Sequence, residues 1–317
     1  MKFINLFVAF TFLVIANMAM AAELGGNCTN SLAAGMVVKS DCSNNSMFEG
    51  KQYCFSTAAS KMAFDNAPDK SEIVMKATAT YNKSQETTRE KITQEQAMAQ
   101  INSASCDLSN KDAGYLQFDN LKLSHCKMVN TSFFGAYLRG ADMSGANMQG
   151  AYLNLARLEG TNLSGANLTD AIIFQAIFSK TNFKGANLTN ARMIGTLGDV
   201  NMSDANVTKG RFGLDVGNQP MGQMKFDSVS GNFAHTNFSG ADLNIANFSF
   251  GNLQGANLSN TNLHRADLSQ ADLTGADLTG ADLTDASVDG AIFTNAKGLD
   301  SVKGFATVKG KCVDCKR

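Results

Sequence analysis

The sequence contains only two prolines and three histidines, and it has no tryptophan. It also lacks an excess of either charge, with 27 lysines and arginines against 28 aspartates and glutamates. This balance argues against a basic surface that binds nucleic acid. Few histidines leave little imidazole for acid–base catalysis. What the chain does have is 317 residues, 44% of them hydrophobic, which is enough for a sizeable core.

The N-terminus has the pattern of a secretory signal peptide. Residues 1–21 begin with one basic residue, Lys2, continue with an apolar run over 3–15, and end in small residues. We predict cleavage after Ala21 or Ala22. A membrane anchor is the less favoured alternative, because the run is shorter than the ~20 residues of a spanning helix. We therefore expect a bacterial periplasmic or secreted protein with no membrane span after cleavage.

The seven cysteines suit an exported, oxidised protein. The two that close the chain form a Cys-x-x-Cys motif. A redox pair would need a thioredoxin-like context and a zinc site would need further ligands, and the surrounding sequence lacks both. A disulfide within the tail, or one that joins the tail to the N-terminal region, is therefore favoured. Six cysteines are predicted disulfide partners, with the pairing left open: Cys28, Cys42, Cys54, Cys106, Cys312 and Cys315.

The sequence before residue 113 has residue types and spacings that are typical of α-helices. Residues 71–104 contain no glycine or proline and place apolar residues near helical spacing, which predicts one long helix or two broken near Ser84. Residues 47–64 predict a shorter helix that ends before Pro68. We expect a small, largely α-helical, cysteine-containing region over 22–112, stabilised by disulfides.

A large apolar residue recurs every fifth position from about Leu116, as in Leu273, Leu278 and Leu283. A period of five forms no single apolar face on an α-helix or a flat strand, so it indicates a solenoid. The large residue and the small one two positions earlier should point inward. Asn or Asp usually lies between them and faces out, where its short side chain can bond the turning backbone. Cys126 occupies such a small slot and is predicted to be a buried free thiol.

The repeated segment "ADLSQADLTGADLTGADLTDA" resembles the pentapeptide-repeat family, with similarity over roughly 116–296. The resemblance implies a mainly β fold, a right-handed quadrilateral β-helix with four pentads per coil. Large residues in the small slot at Leu116 and Leu121 predict a distorted or capping first coil. The predicted organisation is a signal peptide over 1–21, the helical region over 22–112, a β-helix over 113–297 that is interrupted at about 195–230, and a tail over 298–317.

If residues twenty apart stack, one part of the first array, before the interruption, carries apolar side chains on its outside. An exposed apolar surface usually marks something that covers it. A homodimer seam, another protein partner, and the chain's own N-terminal helices or interrupting loop are the alternatives. The predicted interface comprises Phe134, Tyr137, Tyr152, Leu155, Ile172, Phe174, Ile177 and Ile194.

No catalytic, cofactor or metal site is predicted. The repeat frame places His125, His235 and His264 outside the coil, with the first and last too far apart to cooperate. The aspartates at 267, 272, 277 and 282 fall on different sides. We expect a non-enzymatic scaffold for protein interaction, or alternatively a structural envelope protein. Some family members mimic DNA and bind gyrase, a role that the neutral charge and the leader disfavour here.

Overall fold

A computed structural model describes residues 27–34, 40, 42–48, 51–124, 126–213 and 225–315. The chain divides into an N-terminal unit, Met1–Gln85, and a solenoid unit, Glu86–Arg317. The predicted signal peptide lies outside the described residues. The helices and strands are α1 (Thr29–Ala33), β1 (Asn44–Phe48), β2 (Lys51–Phe55), α2 (Ala58–Asp65), α3 (Lys70–Thr88), β3 (Glu90–Lys91), α4 (Gln94–Ile101), β4 (Lys111–Asp112), β5 (Ile172–Phe174), β6 (Arg192–Thr196) and β7 (Phe226–Asp227).

The N-terminal unit combines a hairpin with helices. Strands β1 and β2 pair antiparallel, and α2 begins after Thr57, whose hydroxyl accepts a hydrogen bond from the backbone N–H of Ser60. The predicted helix over 47–64 is therefore wrong in its first half. Tyr53 and Phe55, two residues apart on β2, both enter a core with Phe64 of α2, which is the spacing of a strand.

The predicted helical segment over 71–104 forms two helices, as one of the two alternatives proposed. Helix α3 continues past Ser84 to Thr88, so the break comes later than expected. Helix α4 starts where it does because of a capping box. The Thr93 hydroxyl accepts from the Gln96 backbone N–H, and the Gln96 side chain accepts from the Thr93 N–H.

Helix α4 and β3 close the N-terminal end of the solenoid. Ile92 after β3, together with Ala97 and Ile101 of α4, is buried in the core that the coils share. Strand β3 pairs parallel with β4, so the coils begin before the expected residue 113. The Gln94 side chain donates to the Gln117 carbonyl at 2.9 Å and accepts from the Gln117 N–H at 2.8 Å, so it takes the place of a neighbouring strand.

The coils form a parallel β-helix solenoid. Bridges join residues twenty apart, for example Asn147 to Asn167, so each coil has four five-residue sides. Every predicted large residue from Phe118 to Met193 and from Phe233 to Phe293 is buried, which confirms the repeat frame. The right-handed sense stays a prediction. We number sides 1 to 4 by the large residues Phe118, Leu123, Met128 and Phe133.

The interruption changes the spacing without ending the solenoid. Before the insertion, bridges join residues 19 apart rather than 20, as in Arg192 to Arg211, because one corner residue is missing. The next coil contains an insertion, so Gly195 pairs with Phe226, 31 residues later. Met202 is fully buried as part of a regular coil. The extra residues therefore lie between 213 and 225, a narrower range than the predicted 195–230.

The first complete side after the insertion exchanges the usual sizes of its two inward residues. Phe226 fills the small slot of side 1, where the neighbouring coils have Gly195 and Ala246, and Ser228 fills the large slot. Both side chains are fully buried. The Phe226 ring lies 5.0 Å from that of Phe212 and 5.3 Å from that of Phe248, centroid to centroid.

The C-terminal end is closed by two 3-10 turns, Leu299–Ser301 and Phe305–Thr307, in which Leu299 is buried against the last coil. Each turn follows a glycine with positive φ. At Gly304, φ is 68°, and a Cβ would lie 2.6 Å from the backbone nitrogen of Thr284 in the coil below. Only glycine allows the chain to approach so closely. This tail completes the solenoid as a cap.

Candidate interaction surface

Sides 2 and 3 carry columns of asparagine and aspartate whose hydrogen bonds are made within the solenoid. On side 2 the Asn162 amide donates to Asp142 at 3.1 Å, and the Asn182 amide donates to Asn162 at 3.1 Å. The Asn162 oxygen also accepts from the backbone N–H of Ser164 at 3.2 Å. The predicted bonding of these side chains to the turning backbone is confirmed. Such columns stabilise the stacking of coils.

Sides 1 and 4, which share a corner, depart from this pattern in the first array. Several positions that elsewhere hold polar residues hold aromatic and aliphatic side chains here. Side 1 carries Tyr137 and Ile177; side 4 carries Phe134, Tyr152, Ile172, Phe174 and Ile194; Leu155 stands at the corner between them. The structure therefore places all eight predicted interface residues on two adjoining sides.

The eight residues differ in exposure. Leu155 is 42% exposed and Ile177 is 46% exposed, whereas Ile172 and Ile194 are only 7% and 5% exposed. The eight residues therefore do not form one open surface, since the chain itself covers Ile172 and Ile194. The remaining four side chains are half-buried. Part of the apolar surface is an internal contact, and a smaller part stays open to solvent.

Arginines lie over the aromatic rings of this surface. The Arg192 guanidinium lies 4.9 Å from the centre of the Phe174 ring, and that of Arg89 lies 5.9 Å from the Tyr152 ring. The Arg192 residue is itself buried. A guanidinium at this distance is attracted to the face of the ring.

We give the name apolar patch to three residues, the exposed Leu155 and Ile177 and the half-buried Tyr137. The Tyr137 ring lies 5.4 Å from the Arg139 guanidinium and 5.0 Å from that of Arg157. A depression adjoins the patch, lined by Gln175, Ala176, Ile177, Gly195, Thr196, Lys225 and Asp227. The patch thus combines two exposed aliphatic side chains, an aromatic ring with two arginines beside it, and an adjoining recess.

Asp119 holds Arg139 in place beside the patch. Its carboxylate accepts from the Arg139 backbone N–H at 2.8 Å and from the side-chain Nε at 3.0 Å. A further contact joins Nη2 to Oδ2 at 2.9 Å. These hydrogen bonds raise the pKa of Arg139 above its usual value. The cation over Tyr137 is consequently restrained rather than free to swing away.

The corresponding side in the second array, after the insertion, is polar. Asn247 and Asp267 occupy the side 1 column in which the first array has Tyr137 and Ile177. Since the inward residues of both arrays follow the same pattern, the difference is confined to the outer surface. The apolar patch is therefore not needed to build a coil of this type.

The structure pairs six cysteines, as Cys42–Cys54, Cys106–Cys126 and Cys312–Cys315, and leaves Cys28 as a buried free thiol. The Cys312–Cys315 bond is a disulfide within the tail, one of the two alternatives predicted for this pair. The predicted roles of Cys28 and Cys126 are wrong, because Cys106 and Cys126 occupy the small slot of side 3 in successive coils. Their separation of 20 residues, one coil, was the signal in the sequence.

The other titratable residues considered in the sequence do not cluster. His235 stands at a corner after side 2, and His264 lies on side 4, while His125 lies outside the described residues. Asp267 and Asp277 lie on sides 1 and 3 of one coil, and each accepts the backbone N–H of the residue two positions later. They are turn residues rather than paired acids.

Within the described parts of the chain, no group of three or more histidine, cysteine, aspartate or glutamate side chains has the arrangement of a metal site. The same residues include no helix that is both long and apolar enough to span a membrane.

The repeats match the family described as "Pentapeptide repeats" in eight copies, over 117–154, 151–190, 174–203, 231–260 and 261–297. The solved structure of HetL, a pentapeptide repeat protein involved in heterocyst differentiation regulation in Nostoc sp. strain PCC 7120, is 23% identical with a TM-score of 0.42. The match covers 69% of this chain and 92% of HetL.

A pentapeptide repeat protein from the Arabidopsis thaliana thylakoid lumen is 25% identical, over 44% of this chain and 73% of its own, with a TM-score of 0.21. QnrB1, a plasmid-mediated fluoroquinolone resistance protein, is 18% identical, over 65% of this chain and 90% of its own, with a TM-score of 0.31. None of these likenesses assigns a function. Among curated proteins, none matches the sequence.

Proposed function

This chain belongs to the pentapeptide-repeat family, and we propose that it is a non-enzymatic, exported scaffold that binds a protein through the apolar patch. The observation that carries the proposal is the exposure of Ile177 in an outward column whose second-array members, Asn247 and Asp267, are polar, with Leu155 exposed at the adjoining corner. Completing the burial of two half-exposed aliphatic side chains would contribute about 1 kcal/mol each. Arg139, which Asp119 holds in place, and Arg157 lie beside Tyr137 and add polar anchors at the edge of the patch.

The occupant of the patch is a second copy of the chain or a different protein. Light scattering on the oxidised protein separates the two. If the wild type is a dimer, the variant Leu155→Asp/Ile177→Asp should be a folded monomer, because charges would have to be buried in the seam. The matched control is Phe250→Asp, which changes another exposed apolar residue at a solenoid corner and should leave the mass unchanged.

A monomeric wild type would direct the search to another protein. In that case cross-linking at the patch in extracts of the source organism should capture a partner with the wild type and the Phe250→Asp control, but not with the double variant. Equal capture by all three proteins, or a dimer that the double variant leaves intact, would show that binding occurs elsewhere.

Export is the second element of the proposal. It is supported by the pattern of residues 1–21 and by the three disulfides, which persist in oxidising compartments. Mass spectrometry of the protein from its source should find a mature N-terminus at Ala22 or Glu23, in the periplasm or the medium. An uncleaved chain in the cytoplasm would contradict it. Either compartment is compatible with a structural envelope role or a role towards other cells.

The alternative of DNA mimicry has little support in the surface. A protein that imitates a duplex needs closely spaced negative charge, about one for every 1.7 Å of axis. Here Lys122 and Lys127 stand in the outward columns of sides 2 and 3, which continue largely with neutral asparagines. We expect no inhibition of DNA gyrase supercoiling by the purified protein, and potent inhibition would reverse the order of the two proposals.

A further inference from the structure

Three cysteines meet in the N-terminal unit, although only two of them form a disulfide. Cys54 on β2 is bonded to Cys42, with their Cα atoms 4.7 Å apart. On the other side of β2, Cys54 forms a parallel bridge with Cys28. Bridge partners on neighbouring strands lie about 5 Å apart at Cα, and their side chains leave the same face of the sheet. A disulfide accepts Cα separations of roughly 4.4–6.8 Å, so Cys54 has two partners within disulfide reach.

The free thiol of Cys28 lies in a polar environment despite its complete burial. The Ser56 hydroxyl donates a hydrogen bond to its sulfur at 3.4 Å. Burial alone would raise the pKa of Cys28, but hydrogen bonds from Ser31 and Ser56 outweigh that effect and lower it to about 7. A substantial fraction of the thiol is therefore ionised near neutral pH, and the thiolate is the form that attacks disulfides.

We propose that Cys28 and the Cys42–Cys54 disulfide form an internal thiol–disulfide relay that releases Cys42 as a site for covalent attachment. The Cys28 thiolate attacks the Cys54 sulfur, the Cys28–Cys54 bond forms, and the bonding pair of the Cys42–Cys54 bond leaves with the Cys42 sulfur. One thiolate is consumed and one is produced, so the exchange needs no oxidant or reductant.

The two pairings differ in where the free thiol is located. Cys28 and Cys54 are both fully buried, whereas Cys42 is only half-buried. The exchange therefore transfers a reactive thiol from the interior to the surface without changing the number of disulfides. The released Cys42 thiolate can attack the disulfide of a small molecule or a protein, forming a mixed disulfide and expelling a thiolate from that partner.

The odd number of cysteines is consistent with this role. Seven cysteines leave one thiol over after three disulfides, and an unpaired thiol in an oxidised protein is a candidate for intermolecular pairing. The relay rests on contacts inside the N-terminal unit alone. It is independent of the apolar patch, and failure of either proposal leaves the other standing.

Peptide mapping of the labelled protein tests the relay. The purified, oxidised protein is incubated at pH 7.5 with iodoacetamide, or with glutathione disulfide in a parallel sample, and digested without reduction. We expect the label or the glutathione on Cys42, together with a Cys28–Cys54 linked peptide. Label on Cys28 with Cys42–Cys54 intact, or no label on any of the three, would overturn the proposal.

Two variants distinguish exchange from direct access. Cys28→Ser should retain Cys42–Cys54 and take up no label, because the attacking thiol is missing. Cys42→Ser should be isolated with a Cys28–Cys54 disulfide, and its absence from a folded Cys42→Ser protein would contradict the relay. The Cys106–Cys126 and Cys312–Cys315 disulfides serve as internal controls and should stay unlabelled in every sample.

Discussion

Replacing Phe226 by alanine tests how the solenoid tolerates the exchange of inward residues after the insertion. Phe226 fills the small slot between Gly195 and Ala246 and contacts the rings of Phe212 and Phe248. Its neighbour in the large slot is Ser228, which contributes little volume. A shortened side chain at 226 therefore leaves a coil with two small inward residues on one side.

The expected loss is large because nothing nearby can fill the space. Truncation of a buried phenylalanine to alanine costs about 3–5 kcal/mol, and the lost ring contacts place this site towards the upper end of that range. The opposite change, Ser228→Leu, would overpack the side while Phe226 is present, at a cost of about 1–3 kcal/mol. In the double variant the two changes should compensate, with a coupling of about 2 kcal/mol.

Urea unfolding followed by far-ultraviolet circular dichroism measures these differences. The matched control is Phe250→Ala, the same substitution at a side chain that is 62% exposed, and it should change stability by less than about 0.5 kcal/mol. If Phe226→Ala were as mild as that control, or if the double variant were no more stable than Phe226→Ala, the assignment of exchanged slots would be refuted.

Two further perturbations test the cap and the turn aspartates. Gly304→Ala should lower the thermal midpoint more than Gly275→Ala, because both glycines have positive φ but only a Cβ at 304 meets backbone of the coil below; equal losses would contradict this. Hydrogen bonds from Thr279 lower the pKa of Asp277. Ionised Asp277 therefore stabilises the folded state at pH values above about 4, the pKa of this group in the unfolded chain. The stabilisation is lost as the pH falls through the lower pKa that Asp277 has in the folded protein. Asp277→Asn should unfold less readily on acidification and Asn257→Asp more readily, as acid titrations monitored by circular dichroism would show.

The sequence predicts the solenoid well because its information is repeated. Each large residue, such as Leu158 or Leu278, is buried where the five-residue frame places it, and the outward polar residues bond the turns as expected. The same five-residue pattern recurs in every coil, so it determines how each coil packs against the coils on both sides of it. The register after the interruption could not be predicted in the same way. Phe226 stands where the repeat has a small residue and Ser228 where it has a large one, so each contradicts the pattern, and only the two together fill the usual space.

The N-terminal unit was less predictable because its segments do not repeat. The pair β1 and β2 overlaps the first half of the predicted helix over 47–64, because Met47 and Phe48 are compatible with either period over so short a stretch. The eight predicted interface residues lie together on two adjoining sides of the coil, but the extent of the exposed surface depends on which of them the chain covers. Burial of Ile172 and Ile194 is a property of tertiary packing, and no periodicity in their own strands reports it.

The Cys106–Cys126 disulfide has a mechanical consequence. A solenoid under tension at one end loses its coils in succession, because each coil is held mainly by its neighbours. Tension applied from the N-terminal side would pass from Cys106 across the sulfur bridge to Cys126, so the segment 107–125 would carry no load. Roughly 65 Å of extended chain is thereby withheld from stretching. The first coil to yield would be the one beyond Cys126.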